Sequence, residues 1–297
     1  MTTSCPTPIV QSSAADLPGA TDLSTPIADP PQEYRPPAPD LLFTIRVLGN
    51  LLDDLERVRI MNSNRIGAME RELGFSTPGL QIAQQSLRAI EHECELELCR
   101  VWRKHPLAPW AKTYRGLGEK SIARLIAVIG DPATRIEGHT TYDTQDATAL
   151  EGHSIHDTQS GFALELERTV SQLWAYCGHG DPARSYKRKG MTQEELFKQG
   201  SPRAKKQVWL ISTSLLKAGN REVYDATRAK YAEARHEKAC PRCGPGGHPA
   251  LPGSALSDGH KHARALRAVG KAFLKDLWIA SRQSRTETQA PDGEQAA

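Results

Sequence analysis

Long apolar runs are missing from this 297-residue chain: no uninterrupted stretch is long enough to cross a bilayer. Nor does the chain start with a basic stretch leading into an apolar one, so neither a membrane anchor nor a secretory leader is expected. We read the protein as soluble and cytoplasmic. Cysteine is sparse, with six residues, and only Cys240 and Cys243 form a motif. Cys5 lies near the start, Cys94 and Cys99 fall inside a helical pattern, and Cys177 falls inside an apolar one. That distribution is no disulfide framework and suits a reducing compartment. No segment alternates apolar and polar residues as a half-buried sheet would, and no cluster of carboxylates suggests a pair of metal ions. A mean hydropathy of -0.52 leans polar, so part of the length is expected to lie outside any core.

Residues 1–40 hold nine of the 20 prolines and five acidic side chains against one basic one, Arg35. Too little apolar surface is available there to offset the entropy of ordering, and a disordered tail is expected. From Leu41 the pattern changes. Leu41, Ile45, Leu48, Leu52 and Leu55, then Ile66, Met69 and Leu73, step by threes and fours, with polar Arg59 and Asn62 keeping the spacing between them. This predicts a long amphipathic helix, closed by Gly74 and the turn at 76–79. A second helix is expected from Leu80 to Lys104, with Leu87, Ile90, Cys94, Leu98 and Val101 on one side and Pro106 as its stop. The two make a helical hairpin over 41–105, either the edge of an ordinary bundle or a dimerising coiled coil whose register Asn62 sets.

Residues 137–145 recur as 151–159, a short duplication inside a polar insertion over 131–161. Its histidines and aspartates lack the apolar periodicity that would hold ligands rigidly, so a surface loop is expected. An apolar helical segment follows at Val208–Leu216, a mixed-charge helix at Val223–Lys238, and a polar tail at 283–297.

The chemistry sits in three places. Gly116-Leu117-Gly118 leads directly into an amphipathic helix, the pattern of a helix-hairpin-helix. Its glycines let backbone N–H groups approach a phosphate at a helix start, while Lys120 and Arg124 add charge. Residues 183–220 carry nine basic side chains against two acidic ones. Arg184, Lys187, Arg188, Lys189, Arg203, Lys205 and Lys206 extend the candidate DNA contacts. Cys240-Pro241-Arg242-Cys243-Gly244 is a zinc-knuckle turn that needs two more ligands. His248 and His260 are the first choice, with His262 and His236 also in reach. Structural zinc is the cofactor expected.

In order, the hairpin, Gly-Leu-Gly, Leu-Trp-Ala-Tyr-Cys-Gly (173–178), Arg-Ser-Tyr-Lys-Arg-Lys-Gly-Met-Thr (184–192), Lys-Gln-Gly-Ser (198–201) and an apolar helix resemble the C-terminal half of the IS-one-ten transposases, relatives of the pilin invertase. The basic helix at 263–281 is similar to their closing helix. The resemblance spans about residues 41–282. It implies a mainly α fold with a helical hairpin followed by a small helix-hairpin-helix domain over 106–282, with insertions at 131–161 and 239–262. It further implies a role in DNA transposition, and a nucleophilic serine for which Ser185 is first candidate and Ser201 second. The RuvC-like domain that supplies carboxylates in that family has no counterpart here, so magnesium is expected only alongside a nuclease partner. The expected partners are DNA or structured RNA and a second copy of the chain. The leading expectation is binding without independent nuclease activity. The alternatives are a recombinase borrowing carboxylates from a partner chain, and a protein-interaction module.

Overall fold

A computed structural model describes residues 40–75, 77–137, 164–180, 190–192, 195, 200–241, 243–244 and 248–289. The polar tail expected over 1–40, apart from Asp40, and the duplicated loop lie outside these residues, as do Arg184, Ser185, Lys187, Arg188 and Lys189. Among the described residues the fold is mainly helical. Helices α1 (Leu41–Leu73), α2 (Pro78–Trp102), α3 (Ala108–Lys112) and α4 (Glu119–Ile129) precede a two-stranded sheet. Helices α5 (Val170–Tyr176), α6 (Pro202–Lys217), α7 (Glu222–Lys230) and α8 (Asp258–Gln289) follow it.

Local chemistry explains most of these boundaries. Asp40 caps α1 by accepting the Leu42 N–H at 3.0 Å, and Gly74, at φ 73°, closes it with an N–H to the Glu70 carbonyl. Pro78 opens α2, where its missing N–H costs nothing. Thr169 and Gln172 form a reciprocal capping box on α5, and the Ser201 hydroxyl caps α6.

The two long helices run antiparallel. Asn62 donates to Gln84 at 3.1 Å, Arg59 pairs with Glu91, and the Cys94 thiol lies 3.6 Å from the Leu48 carbonyl. Asn62 therefore meets its polar partner inside the same chain. On its other side α1 crosses α4 at Gly49, where a Cβ would strike that of Ala127. A glycine in mid-helix costs about 1 kcal/mol relative to alanine, and this close crossing is what it permits. Ile45, Leu52, Leu98, Trp102, Ile122, Leu125 and Ile126 fill the space between the hairpin and α4. Leu173, Ile211, Phe273, Leu274 and Leu277 continue the same core into α5, α6 and α8.

Charge ties the layers as well. Arg124 of α4 is only 7 % exposed, with its guanidinium on Asp53 and, at 2.7 Å, on Glu56, both from α1. Arg203 of α6 reaches the other Asp53 oxygen, its Nε at 3.0 Å. Against the opposing effect of burial, Arg124 holds both carboxyls below their ordinary pKa, joined by Arg203 at Asp53 and by Lys206 at Glu56.

Three features differ from the sequence reading. Residues 134–137 and 164–167 form short antiparallel strands, Thr134 opposite Glu167 and Ile136 opposite Glu165, at the stem of the expected insertion. Four alternating residues per strand are too few to register as a sheet pattern. Helix α7 stops at Lys230 instead of Lys238, because the chain turns into the cysteine loop. Helix α8 runs past Arg282 to Gln289, where Ser281 and Arg285 bond the Asp131 carboxylate at 2.6 and 2.8 Å. A polar sequence reads as a tail when the partners of its polar groups lie 150 residues or more away in the chain.

His105 and His179 are buried and neutral, each pushed down to about 4 by burial. His105 accepts the Leu107 N–H, and His179 Nδ1 donates to the Cys177 carbonyl at 2.7 Å. An unfolded chain protonates both near pH 6.5, whereas the folded chain resists until about pH 4. The unfolded state thus binds more protons in that window, and stability falls as pH falls through it, by on the order of 3 kcal/mol per histidine at its foot. The depressed Asp53 and Glu56 carboxyls add to the loss at still lower pH. Thermal melts between pH 7 and pH 4.5 should show a steady drop in Tm, and His179→Gln should flatten it. A Tm constant across that range would contradict the burial.

Candidate metal centre and nucleic-acid interface

Beyond α7 the chain forms a loop held by two isolated antiparallel bridges, Arg235 with Ala255 and Cys240 with Ala250. The Cys240 bridge closes the Cys-x-x-Cys turn through paired bonds at 3.0 and 2.8 Å. The His236 backbone is fixed by Ser254 and Gly253, and the Ser257 hydroxyl accepts the His260 N–H at the first turn of α8. The loop and the helix start therefore meet. Potential ligand atoms of His236, Cys240, Cys243 and His260 all lie within 4.8 Å of one another. Cys243 Sγ is 3.2 Å and Cys240 Sγ 3.9 Å from His260 Nδ1.

Two thiols and two imidazoles in this arrangement could hold a metal ion such as zinc. The donor set fits for a further reason. His236 is buried, and its Nε2 has no hydrogen-bond partner, an expense that a coordinated ion removes. The Cys243 thiol is drawn below its usual range: burial raises it, but the Ser257 hydroxyl and backbone outweigh that. Among the described residues no other group of three or more such ligands is gathered.

The ligand choice made from sequence needs correction at one position. His248 is exposed and stands outside the cluster, and His236 takes its place beside Cys240, Cys243 and His260. The Ala250 bridge turns the backbone so that residues before the knuckle, rather than just after it, face the thiols. His262 is committed elsewhere, its Nδ1 2.7 Å from the Tyr224 hydroxyl.

The residues chosen as phosphate contacts are placed unevenly. Gly116 has φ 87°, a left-handed conformation open to glycine, and the turn precedes α4 as expected. That turn is also packed: a Cβ on Gly116 would strike Ala218, and the Ser214 hydroxyl donates to the Gly116 carbonyl at 2.6 Å. Gly118 supplies the extended residue before α4. Lys120 is engaged by Glu95 at 2.6 Å. Arg124 is not a surface cation at all, being buried between Asp53 and Glu56, and Arg203 is turned toward Asp53. Sequence could count these arginines but could not see the carboxylates brought to them from 68 to 150 residues away. Lys206 stays well exposed, with Glu56 at 3.8 Å, and Lys205 lays its stem across Gly178.

Ser201 is nearly buried, and its oxygen accepts the Ala204 N–H as the cap of α6. Its own N–H donates to the Tyr176 carbonyl at 2.7 Å. Gly200, at φ 84°, sits so close to the Ala175 and Tyr176 carbonyls that no Cβ would fit. The Gly-Ser pair thus has a structural explanation. His179, the nearest histidine in sequence to Ser185, packs against Gly270 of α8 with its Nδ1 committed to a carbonyl. Trp209, which the sequence reading did not single out, stands exposed on α6.

No protein-family model matches the chain, and no curated protein or solved structure matches it either.

Purified protein should contain about one zinc per chain, lost in Cys240→Ser/Cys243→Ser and strongly reduced in His236→Ala. His248→Ala should keep its metal. Elemental analysis after gel filtration reads all three, and metal retained by the double cysteine variant would eliminate the site.

Proposed function

We propose that the chain is a DNA-binding protein of the type formed by the C-terminal half of the IS-one-ten transposases, stabilised by one structural zinc and paired through its first helix. The observation that carries this reading is the convergence of the quoted motifs on α6. The Gly-Leu-Gly turn seats against Ser214 and Ala218 near one end of that helix, and Gly200-Ser201 docks on the end of α5 at the other. Segments a hundred residues apart in sequence meet on one helix whose exposed side carries Lys205, Lys206 and Lys217. Contacts from such a surface go to phosphates and are electrostatic and tolerant of sequence. The basic run at 184–189 precedes this helix in the chain.

Four protein ligands close a tetrahedral site, so the zinc is structural: bound there, it would lock the 231–257 loop to the first turn of α8. These residues are assigned binding rather than strand cleavage, since the Ser201 oxygen is used in capping α6.

Pairing is assigned to α1. Its inner stripe, including Leu48 and Leu55, packs into the chain's own core. A second stripe, Phe43, Val47, Leu51, Val58 and Met61, is exposed along the outer face. Two such helices set antiparallel would bring Phe43 against Met61, and Val47 against Val58, of the second copy. Asp54 interrupts the stripe, so the association is expected to be modest and concentration-dependent.

Val47→Asp/Leu51→Asp should shift the protein to a monomer by light scattering at tens of micromolar while leaving its fold intact. Leu48→Asp, by contrast, should unfold it. A monomeric wild type at that concentration would remove the pairing.

Changing Lys187, Arg188 and Lys189 together to alanine should weaken duplex binding and flatten the log affinity against log salt slope by about one unit per lost phosphate contact. An unchanged affinity and slope would mean that this run is a solvated surface.

A further inference from the structure

We infer that α6 presents a stacking platform for an unpaired nucleobase, centred on Trp209, so that the nucleic acid bound here is single-stranded or locally unpaired. The inference rests on the DNA-binding reading and names its substrate class.

Four of the five tryptophans are used by the fold. Trp102 is buried and stacks on His105, and Trp110 sits in an aromatic cluster with Tyr114 and Phe273. The Trp174 indole N–H donates to the Lys271 carbonyl and that of Trp278 to the Arg168 carbonyl. Trp209 is different: it is 54 % exposed, and no ring or hydrogen-bond partner holds its indole among the described residues. The apolar side of its helix is satisfied without it, by Val208, Ile211 and Leu215.

The ring stands among cations. At 100° per residue, Lys205 projects about 40° to one side of Trp209 and Lys206 about 60° to the other, each roughly one turn toward the helix start. Lys217 lies two turns beyond on the same side, and Asn220 then holds the carbonyl of exposed Arg115 at 2.7 Å. Glu56, which faces Lys206 at 3.8 Å, is shared with Arg124.

An exposed indole on a helix that also carries Lys205, Lys206 and Lys217 suits a single strand. Each unpaired base offers a π face, and the adjoining phosphates meet the lysines. In a duplex the bases are already stacked on one another, and reaching one would mean opening the stack. An apolar protein surface suits the site poorly, because covering Trp209 would also strip water from Lys205 and Lys206, and lysine is depleted at the core of protein interfaces.

The test is fluorescence anisotropy of a labelled oligothymidine strand of about 20 nucleotides and of a duplex of equal length, with full-length wild type, Trp209→Ala and Trp209→Phe. Because the side chain is exposed, all three should melt alike. Trp209→Ala should weaken oligothymidine binding roughly ten- to a hundredfold while changing duplex affinity less than about twofold, and Trp209→Phe should retain most of the single-strand affinity. Wild-type tryptophan emission should be quenched by oligothymidine, and that quenching should vanish in Trp209→Ala. If the alanine variant binds both substrates like wild type, or loses both equally, the platform is overturned while DNA binding stands. A change in oligomeric state instead would make Trp209 a protein contact and likewise overturn it. If wild type binds neither substrate, the DNA-binding reading falls and this inference falls with it.

Discussion

A guanidinium group cannot shed its charge at any pH a protein survives, so wherever Arg124 is buried a carboxylate must be buried with it. In this chain it lies in the core between the hairpin and α4, and α1 supplies Asp53 and Glu56 one helical turn apart. Sliding α1 along α4 by a single residue would break both ion pairs and move Gly49 off Ala127. Leaving such a charge without its partners costs about 3–5 kcal/mol, comparable to much of a domain's net stability. Asp53 then turns its second oxygen to Arg203, so the register of α6 depends on the same carboxylate. The placement of three helices rests on this one cluster.

Helix α6 is where the fold meets the proposed function. One side carries Val208, Ile211 and Leu215 into the core, and its ends receive the two glycine turns of the quoted motifs. The glycines at 116 and 200 serve close approach between chain segments, which is a different use of the same lack of a Cβ that phosphate binding exploits. What remains outward includes Lys205, Lys206 and Lys217 together with Trp209 and Leu210. Under the proposed function, a helix fixed at both ends means that the protein side of such a surface needs little further ordering on binding.

The cysteine loop answers a separate problem. Between α7 and α8 nearly thirty residues run with two isolated bridges and few buried apolar groups among the described residues, Ala250 and Leu256 included. Such a segment buries too little to hold itself, and a bound ion would supply the missing constraint. Tyr224, Ala265, Leu266 and Val269 form a small second core that joins α7 to α8 on either side of the loop in sequence.

By itself the sequence determined what local physics decides. The 3.6-residue spacing of Leu41 to Leu73 gave the first helix to its observed ends, because a long amphipathic stripe with Asp40 before it and Gly74 after it has few other solutions. The Cys-x-x-Cys turn was legible because its two thiols are three residues apart, and His260 was in reach. Tertiary structure alone decided the rest. It chose His236 over His248, since that choice depends on which way the Ala250 bridge folds the loop. It turned Arg124 and Arg203 from surface cations into internal ties, since their carboxylates come from a helix more than sixty residues earlier in the chain. It also separated the two apolar stripes of α1, one buried and one exposed, because a helix shows every face in its sequence and only its neighbours select which of them is covered.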